Sequence, residues 1–202
     1  MDGAAPILHI LAGSNGAGKS SLYDSTVSRM TDAVFVNADR LIAEAIGAHA
    51  TTEAHAKRGQ ALADAERVRL MAARLSLVTE STFSHGSKVE LVREALALGY
   101  RVLIYHVGLE SADLAVARVQ ERASNGGHPV PEDRIRGRYA RNRGFIRDAM
   151  LLATGGFVFD NSVLGDPPRR VVTFVGGEAI LVDDSLPAWV AEVYAVELAG
   201  DL

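Results

Sequence analysis

Residues 13–20 have the composition and spacing of a loop that holds nucleotide phosphates. They read Gly-Ser-Asn-Gly-Ala-Gly-Lys-Ser and satisfy the pattern GxxxxGK[ST], after a strand-like apolar run and before a helix-like one. Glycines allow the backbone to curl so that successive N–H groups point at phosphate oxygens. Lys19 would reach the β- and γ-phosphates, and the Ser20 hydroxyl would bind Mg2+. The predicted contacts to ATP or GTP are Gly13, Ser14, Asn15, Gly16, Ala17, Gly18, Lys19, Ser20 and Ser21.

Two acidic residues stand near the ends of strand-like runs. Asp39 ends the second such run, and Glu80 lies in the third. Because the carboxyl ends of parallel strands line the ligand crevice of an α/β sheet, both are expected on the same edge as the loop. Asp39 could accept the proton of an attacking hydroxyl or cap a helix that begins at Arg40. Glu80 could bind a substrate hydroxyl or amide, help to hold Mg2+ through water in competition with Asp39, or be only a polar strand end.

Arginines are concentrated in one stretch of the chain. Eight of the 18 arginines lie between residues 118 and 147, whereas residues 176–202 contain six acids and no Lys or Arg. Arg118 and Arg122 share a helix face, and Arg134 and Arg138 repeat that spacing after a Gly-Gly-His loop. The stretch is either a solvated helix face or a helical lid, about residues 118–147, that closes over a polyphosphate and excludes water. Arginine favours the lid because its planar fork suits phosphate.

The other polar candidates carry weaker signals. His49 and His55 have no convincing metal partner, and His9 and His106 lie in strand-like runs, which favours interior or rim positions. Residues 160–162, Asp-Asn-Ser, could flank the nucleobase end of the site, but a cap on the fifth strand is favoured.

Strand-like and helix-like segments alternate along the chain. Apolar runs at residues 7–12, 33–37, 77–83, 100–107 and 156–160 predict five strands. Helices are expected between them, one of them opened by a capping box from Ser87 to Glu90. The alternation predicts one α/β domain over residues 1–202 with a mostly parallel central sheet of about five strands and helices on both faces, and the phosphate loop after the first strand makes this a P-loop NTPase fold. A β-hairpin and a helix, about residues 169–200, complete the prediction.

Composition narrows the class of protein. The chain has 202 residues, 48% of them hydrophobic, with 21 basic and 25 acidic residues and no cysteine. This suffices for one soluble domain with its own core and excludes disulfides and cysteine-bound metals. The longest apolar runs have strand length, far below the ~20 residues of a membrane span, and no basic residue precedes the first run as in a secretory signal. We therefore expect a cytoplasmic protein that does not bind membranes, and the acidic net charge argues against nucleic acid as a partner.

Two further segments follow the phosphate loop in order, Phe-Val-Asn-Ala-Asp at residues 35–39 and Glu-Ser-Thr-Phe-Ser at residues 80–84. In this combination the chain resembles the zeta toxin family of P-loop kinases, and residues 126–133 and 160–162 are similar to its stand-alone bacterial branch. The resemblance extends to about residue 162. It implies Mg2+-dependent transfer of the γ-phosphate of ATP or GTP to the sugar 3-hydroxyl of UDP-N-acetylglucosamine, with an antitoxin-like inhibitor protein as a partner.

The same resemblance implies roles for individual residues. Asp39 would be the base that activates the hydroxyl, and Lys19 would hold the γ-phosphate. Arg122 matches the first lid arginine of the family, whereas the second is replaced by His128, so Arg134 or Arg138 would compensate for it. The predicted catalytic residues are Lys19, Asp39, Arg122 and Arg138, and the predicted substrate-binding residues are Asp39, Glu80, Thr82, Arg118, His128 and Arg134.

The residues leave two other functions open. An arginine-rich lid would also accept nucleosides, nucleotides or polynucleotide ends, and binding to polynucleotides would weaken steeply with salt. Alternatively, the phosphate loop could act as the switch of a non-catalytic, NTP-gated interaction module. Asp39 separates this last function from a kinase, because only a kinase needs a base for the acceptor hydroxyl.

Overall fold

The computed structural model describes residues 4–47, 52–125, 127 and 129–199, and its centre is a seven-stranded sheet in the order β2-β3-β1-β4-β5-β6-β7. The first five strands pair in parallel, and the last two pair antiparallel. The strands are β1 (Ile7–Ala12), β2 (Val34–Val36), β3 (Leu77–Ser81), β4 (Arg101–Gly108), β5 (Gly155–Asp160), β6 (Arg169–Val175) and β7 (Glu178–Val182).

Helices lie between the parallel strands and after the C-terminal hairpin. They are α1 (Lys19–Ser25), α2 (Ala38–Ile46), α3 (Glu53–Ala72), α4 (Ser87–Ala97), α5 (Ala112–Ser124), α6 (Glu132–Leu152), α7 (Ala188–Val193) and α8 (Ala195–Leu198), with a short 3-10 helix at Val27–Arg29. None of the helices in the described ranges has both the length and the apolar character needed to cross a membrane.

The hydrophobic core lies on both faces of the sheet. Along β1, Leu8 and Ile10 belong to one buried cluster and Leu11 belongs to the other, as the alternation of side chains along a strand requires. The first cluster is covered by α3, α4, α6 and α7, and the second by α1, α5 and the first part of α6. This arrangement confirms the predicted α/β class with helices on both faces of the sheet.

Three details differ from the sequence-based predictions. The sheet has seven strands because the C-terminal hairpin extends it through antiparallel pairing of β5 with β6. Asp39 does not end a strand: β2 stops at Val36, and Asp39 lies in the first turn of α2, whose N-cap is Asn37. The capping box expected at Ser87 is absent, since α4 begins after Gly86 without a side-chain cap.

The register of the central strands places the polar residues of β3 beside the phosphate loop. Leu11 pairs with Glu80 and Ala12 pairs with Ser81, so β1 turns into the loop where β3 exposes its last residues. The Gly13 N–H continues this pairing by donating to the Ser81 carbonyl at 3.3 Å. The carboxyl edge of the parallel strands is therefore the place where the candidate site forms.

Candidate active site

The phosphate loop has a backbone conformation that only glycine tolerates at its end. Gly18 has φ +92°, and a Cβ at this position would lie 2.2 Å from Nδ2 of Asn161. That amide donates to the Ala17 carbonyl at 2.8 Å, so the residue after β5 supports the loop directly. The prediction that residues 160–162 only cap the fifth strand was therefore incomplete, because Asn161 is also part of the structure that shapes the loop.

Lys19, Ser20 and Glu80 form one polar cluster at the start of α1. The Lys19 ammonium is buried, donates to the Ser14 carbonyl at 3.0 Å and lies 3.6 Å from a Glu80 carboxylate oxygen. The other oxygen of Glu80 accepts from the Ser20 hydroxyl at 2.8 Å and from the Asn37 amide at 3.1 Å. Glu80 thus joins the phosphate loop to the start of α2.

The electrostatic surroundings of Lys19 identify its neighbours. Burial lowers the pKa of Lys19, whereas the charges of Glu80 and Asp39 raise it, and that of Arg122 lowers it. The field of Asp39 therefore acts on the Lys19 ammonium, although Asp39 itself is exposed. The charges of two carboxylates and of Arg122 therefore act on the amine that the sequence predicts to bind the γ-phosphate.

These groups line a cleft of about 680 Å³ at the carboxyl edge of the sheet. The predicted site residues on its wall are Asn15, Gly16, Lys19, Asp39, Glu80, Thr82, Arg122, Arg134 and Arg138. The structure therefore brings together the loop, both acids and three of the four arginines predicted as site residues. The predicted contact His128, as well as His49, lies outside the described residues.

Two arginines of α6 cross the cleft to opposite walls. Arg138 donates to the Asn15 side chain at 3.0 Å and so reaches the phosphate loop, while burial lowers its pKa. Arg134 instead forms an ion pair with Glu53 of α3 at 3.2 Å. Of the two residues that could replace the second lid arginine, Arg138 is therefore the one that contacts the phosphate loop.

Arg118 is the predicted substrate contact that the structure does not bring to the wall of the cleft. It lies behind the loop, with its Cβ 3.4 Å from a Cβ built on Gly16 and its guanidinium 3.4 Å from the Val163 carbonyl. Burial lowers the pKa of Arg118, and the charge of Asp160 opposes this effect. Arg118 and Arg122 are four residues apart and therefore lie on the same face of α5. Only Arg122, which is closer to the C-terminal end of the helix, lines the cleft.

Sequence analysis missed one wall of the cleft. Its residues come from α3, α4 and the start of α2: Asn37, Glu53, Ala56, Lys57, Gln60 and Lys88. The α3 members follow a spacing of three and four, which marks one face of a helix but gives no sign of what the face meets. A more useful signal was the rarity of lysine, because all three lysines of the chain line this cleft.

The Ser20 hydroxyl and the Glu80 carboxylate fit a magnesium ion. They are oxygen ligands 2.8 Å apart at the end of the phosphate loop, and Mg2+ prefers one or two protein oxygens together with phosphate oxygens and water. Among the described residues there is no group of three or more His, Cys, Asp or Glu that could hold a metal alone. Of the two acids that competed for the metal, Glu80 is therefore the one positioned to assist Ser20.

A parallel sheet with a GxxxxGK[ST] loop between its β1 strand and α1 defines the class of P-loop NTPases. Within that class the chain belongs to the zeta toxin family, whose model, described as "Zeta toxin", matches residues 1–148. A curated protein of Haemophilus influenzae, described as uncharacterized, is 32% identical over 60 residues, which cover 30% of this chain and 43% of that protein.

Solved structures share the fold at low sequence identity. The AvrRxo1-ORF1:ORF2 complex with ATP is 20% identical with a TM-score of 0.67, and the match covers all of this chain and 66% of the other. A structure of the PezAT chromosomal toxin-antitoxin system of Streptococcus pneumoniae is 12% identical with a TM-score of 0.58, and the match covers 100% of this chain and 82% of the other. The chain thus spans less than half of the curated relative and about two thirds of the AvrRxo1-ORF1:ORF2 chain that it matches.

Proposed function

We propose that the protein is a phosphotransferase that moves the γ-phosphate of ATP or GTP to a hydroxyl of a small anionic acceptor, with a UDP-sugar such as UDP-N-acetylglucosamine as the favoured substrate. The observation that carries this proposal is the shared cleft: Asp39 faces the same space as the phosphate loop, close enough for its charge to act on Lys19. A switch module would need the loop but not a carboxylate across an open cleft from it.

Each side chain has a defined part in the proposed reaction. Lys19 and the N–H groups of the loop would hold the β- and γ-phosphates, and Ser20 with Glu80 would hold Mg2+, which when bound neutralises phosphate charge. Asp39 would accept the proton of the acceptor hydroxyl as its oxygen bonds to the γ-phosphorus. The bond to the β-phosphate oxygen would break at the same centre, leaving ADP or GDP.

The arginines would stabilise the phosphoryl group in transit. Arg138 donates a hydrogen bond to the Asn15 side chain, and the charge of Arg122 acts on Lys19. Both arginines therefore lie on the side of the cleft that the phosphate loop forms. Positive groups fixed there before the reaction stabilise the charge of the transferring group without reorganisation. Residues Pro129, Val130 and Pro131 also line the cleft, so the connection between α5 and α6 would limit access of water to it.

The acceptor would occupy the part of the cleft beyond Asp39. Thr82, which we predict to contact it, lies on that wall, and its hydroxyl is 3.4 Å from the Ser84 hydroxyl. Arg134 stands on the same side in its ion pair with Glu53. Nucleotide sugars carry both the hydroxyl and the negative charge that such a wall would bind. The AvrRxo1 and PezAT structures are complexes or systems with a second component, and we propose an inhibitor protein for this chain as well.

Substitution of Asp39 by Asn tests the proposed base. The amide keeps the shape of the side chain but cannot accept the proton, so phosphoryl transfer should fall by about 100-fold or more. Affinity for a non-hydrolysable ATP analogue should stay within about threefold of the parent, because no hydrogen bond or ion pair joins Asp39 to a residue of the phosphate loop, which the structure describes in full. Transfer is measured as acceptor-dependent ADP release, and an unchanged rate in the Asp39→Asn variant would remove Asp39 from the mechanism.

The acceptor is identified by mass spectrometry. The parent protein, ATP and Mg2+ are incubated with UDP-N-acetylglucosamine and, in parallel, with a pool of bacterial metabolites. The expected product is one species heavier by a single phosphate, which the Asp39→Asn variant does not form. If no small molecule gains a phosphate although ATP is bound, the proposal of a small-molecule kinase is wrong.

A further inference from the structure

Lys88 is a cation in the cleft that the proposed chemistry does not use. It lies in the first turn of α4, is half-buried and lines the cleft together with Thr82 and Gln60. Within the described part of the chain, its ammonium has neither a hydrogen bond nor an ion pair. Burial lowers the pKa of Lys88, which is the sign of a charge removed from water without full compensation.

The nearest charges do not neutralise Lys88. Arg67 and Asp64 both act on it, the first lowering and the second raising its pKa. However, the Asp64 carboxylate is already engaged, since it forms an ion pair with the buried Arg67 and accepts from the Gln60 amide at 3.0 Å. The pair of Arg67 and Asp64 is therefore close to neutral. The positive charge of Lys88 can act on a ligand in the cleft.

The adjacent part of the same wall also carries an excess of positive charge. Glu53 is the counterion of both Lys57, at 3.7 Å, and Arg134, at 3.2 Å. One carboxylate thus serves two cations, and together with Lys88 these four side chains carry three positive charges and one negative charge. A half-buried ammonium without a partner costs free energy that an anionic ligand would offset.

We propose that Lys88, assisted by Lys57, binds a diphosphate group of the acceptor, away from the hydroxyl that reacts. The inference rests on the proposed function, because it takes this part of the cleft as the acceptor site. It assigns to Lys88 and Lys57 the selection of an anionic acceptor over a neutral sugar. It separates the roles of the cations: those at the loop hold the nucleotide, and those on α3 and α4 hold the acceptor.

The test is a binding measurement that needs no turnover. The loop is filled with a non-hydrolysable ATP analogue and Mg2+, and UDP or uridine is then titrated into the protein in a calorimeter. The parent should bind UDP, the Lys88→Gln variant should bind it about tenfold more weakly or worse, and Lys88→Arg should stay near the parent. Lys57→Gln should weaken UDP by a smaller factor because Glu53 already compensates Lys57.

Arg93→Gln is the matched control, because Arg93 lies on the same helix in an exposed pair with Glu90 and does not line the cleft. It should leave the affinity for UDP unchanged. The inference is overturned if the parent binds no UDP, if Lys88→Gln leaves the affinity for UDP unchanged, or if the variant weakens UDP and uridine equally, which would indicate a structural effect. If UDP binding depends on Lys88 but the parent phosphorylates nothing, the anion site stands and the proposed function fails.

Discussion

At the scale of single residues, Glu80 holds the site together. It faces three donors from different segments: the Lys19 ammonium, the Ser20 hydroxyl and the Asn37 amide. A buried ammonium such as Lys19 is costly unless a charge compensates it, and the charge of Glu80 is the strongest influence that raises the pKa of Lys19. One carboxylate thus favours the charged form of the lysine and accepts a hydrogen bond from the hydroxyl that we assign to Mg2+.

The Glu80→Gln variant tests this double role. The amide can still accept from Ser20, but it no longer supplies the charge that favours both Mg2+ and protonated Lys19. We expect the Mg2+ concentration for half-maximal transfer to rise about tenfold or more, and the affinity for nucleotide to fall as well. Glu90→Gln, at an exposed position of α4, is the control. If the Mg2+ dependence of Glu80→Gln matches the parent, Glu80 has no part in holding the metal.

At the scale of elements, the phosphate loop is shaped by contacts from distant parts of the chain. The amide of Asn161, just after β5, donates to the Ala17 carbonyl, and Arg138 of α6 donates to Asn15. Gly18 is left no room for a side chain because Asn161 approaches it closely. The loop therefore has a conformation that depends on the positions of β5 and α6 as well as on its own glycines.

Replacing Asn161 by Asp measures how much the loop depends on this support. A carboxylate of the same shape cannot donate to the Ala17 carbonyl and places negative charge beside the phosphates. Losing a buried hydrogen bond in this way costs about 1–3 kcal/mol, and we expect affinity for an ATP analogue to fall by about tenfold or more. The measurement is calorimetry together with thermal unfolding. The same change of amide to carboxylate at the exposed Gln120 should alter neither value, and an equal loss there would mean that net charge alone is responsible.

Sequence analysis found the site residues that a local sequence pattern marks. The phosphate loop, Asp39 and Glu80 were found because each lies close to the carboxyl end of a strand, and parallel strands present those ends on one edge. The contacts of Arg138 with Asn15 and of Asn161 with Ala17 join residues more than 100 positions apart. The sequence around one residue of such a pair does not indicate which residue it will contact. The wall formed by Lys57 and Lys88 was missed for the same reason.

The errors in the elements also have physical causes. Asp39 was placed at the end of a strand because the apolar run continues to Val36, but Asn37 accepts from the Arg40 N–H and starts the helix two residues earlier than expected. The hairpin of β6 and β7 was predicted from its Gly-Gly turn, whereas its attachment to β5 depends on tertiary packing. Helix periodicity grouped Arg118 with Arg122 but could not show which of them reaches the cleft.

At the scale of the whole molecule, buried histidines in the central strands link the two halves of the chain. His106 of β4 shares a hydrogen bond of 2.7 Å with the Tyr194 hydroxyl, and its ring meets Trp189 of α7 edge-on. Trp189 in turn donates to Asp160 at the end of β5. The C-terminal segment beyond residue 148, where the family match ends, is therefore packed against the same strands that carry the site.

This packing makes the stability of the protein sensitive to acid. Burial, and to a smaller degree Arg143, lowers the pKa of His106 to about 3, whereas its ordinary value of 6.5 applies in the unfolded chain. Between these values the unfolded state binds the extra proton, so stability is complete above pH 6.5 and decreases as the pH falls toward 3. At pH 5 the loss from His106 amounts to about 2 kcal/mol.

The free energy of unfolding, measured with urea at pH 7 and pH 5, should decrease with acid in the parent. In His106→Gln the decrease should be smaller by that amount. Tyr194→Phe removes the hydrogen bond but keeps the titrating ring, so it should lower stability at both pH values and retain the full decrease between them. If the decrease were the same in His106→Gln as in the parent, protonation of His106 would not be what destabilises the folded chain, and the acid sensitivity would have to come from other groups such as His9, whose pKa burial lowers to about 4.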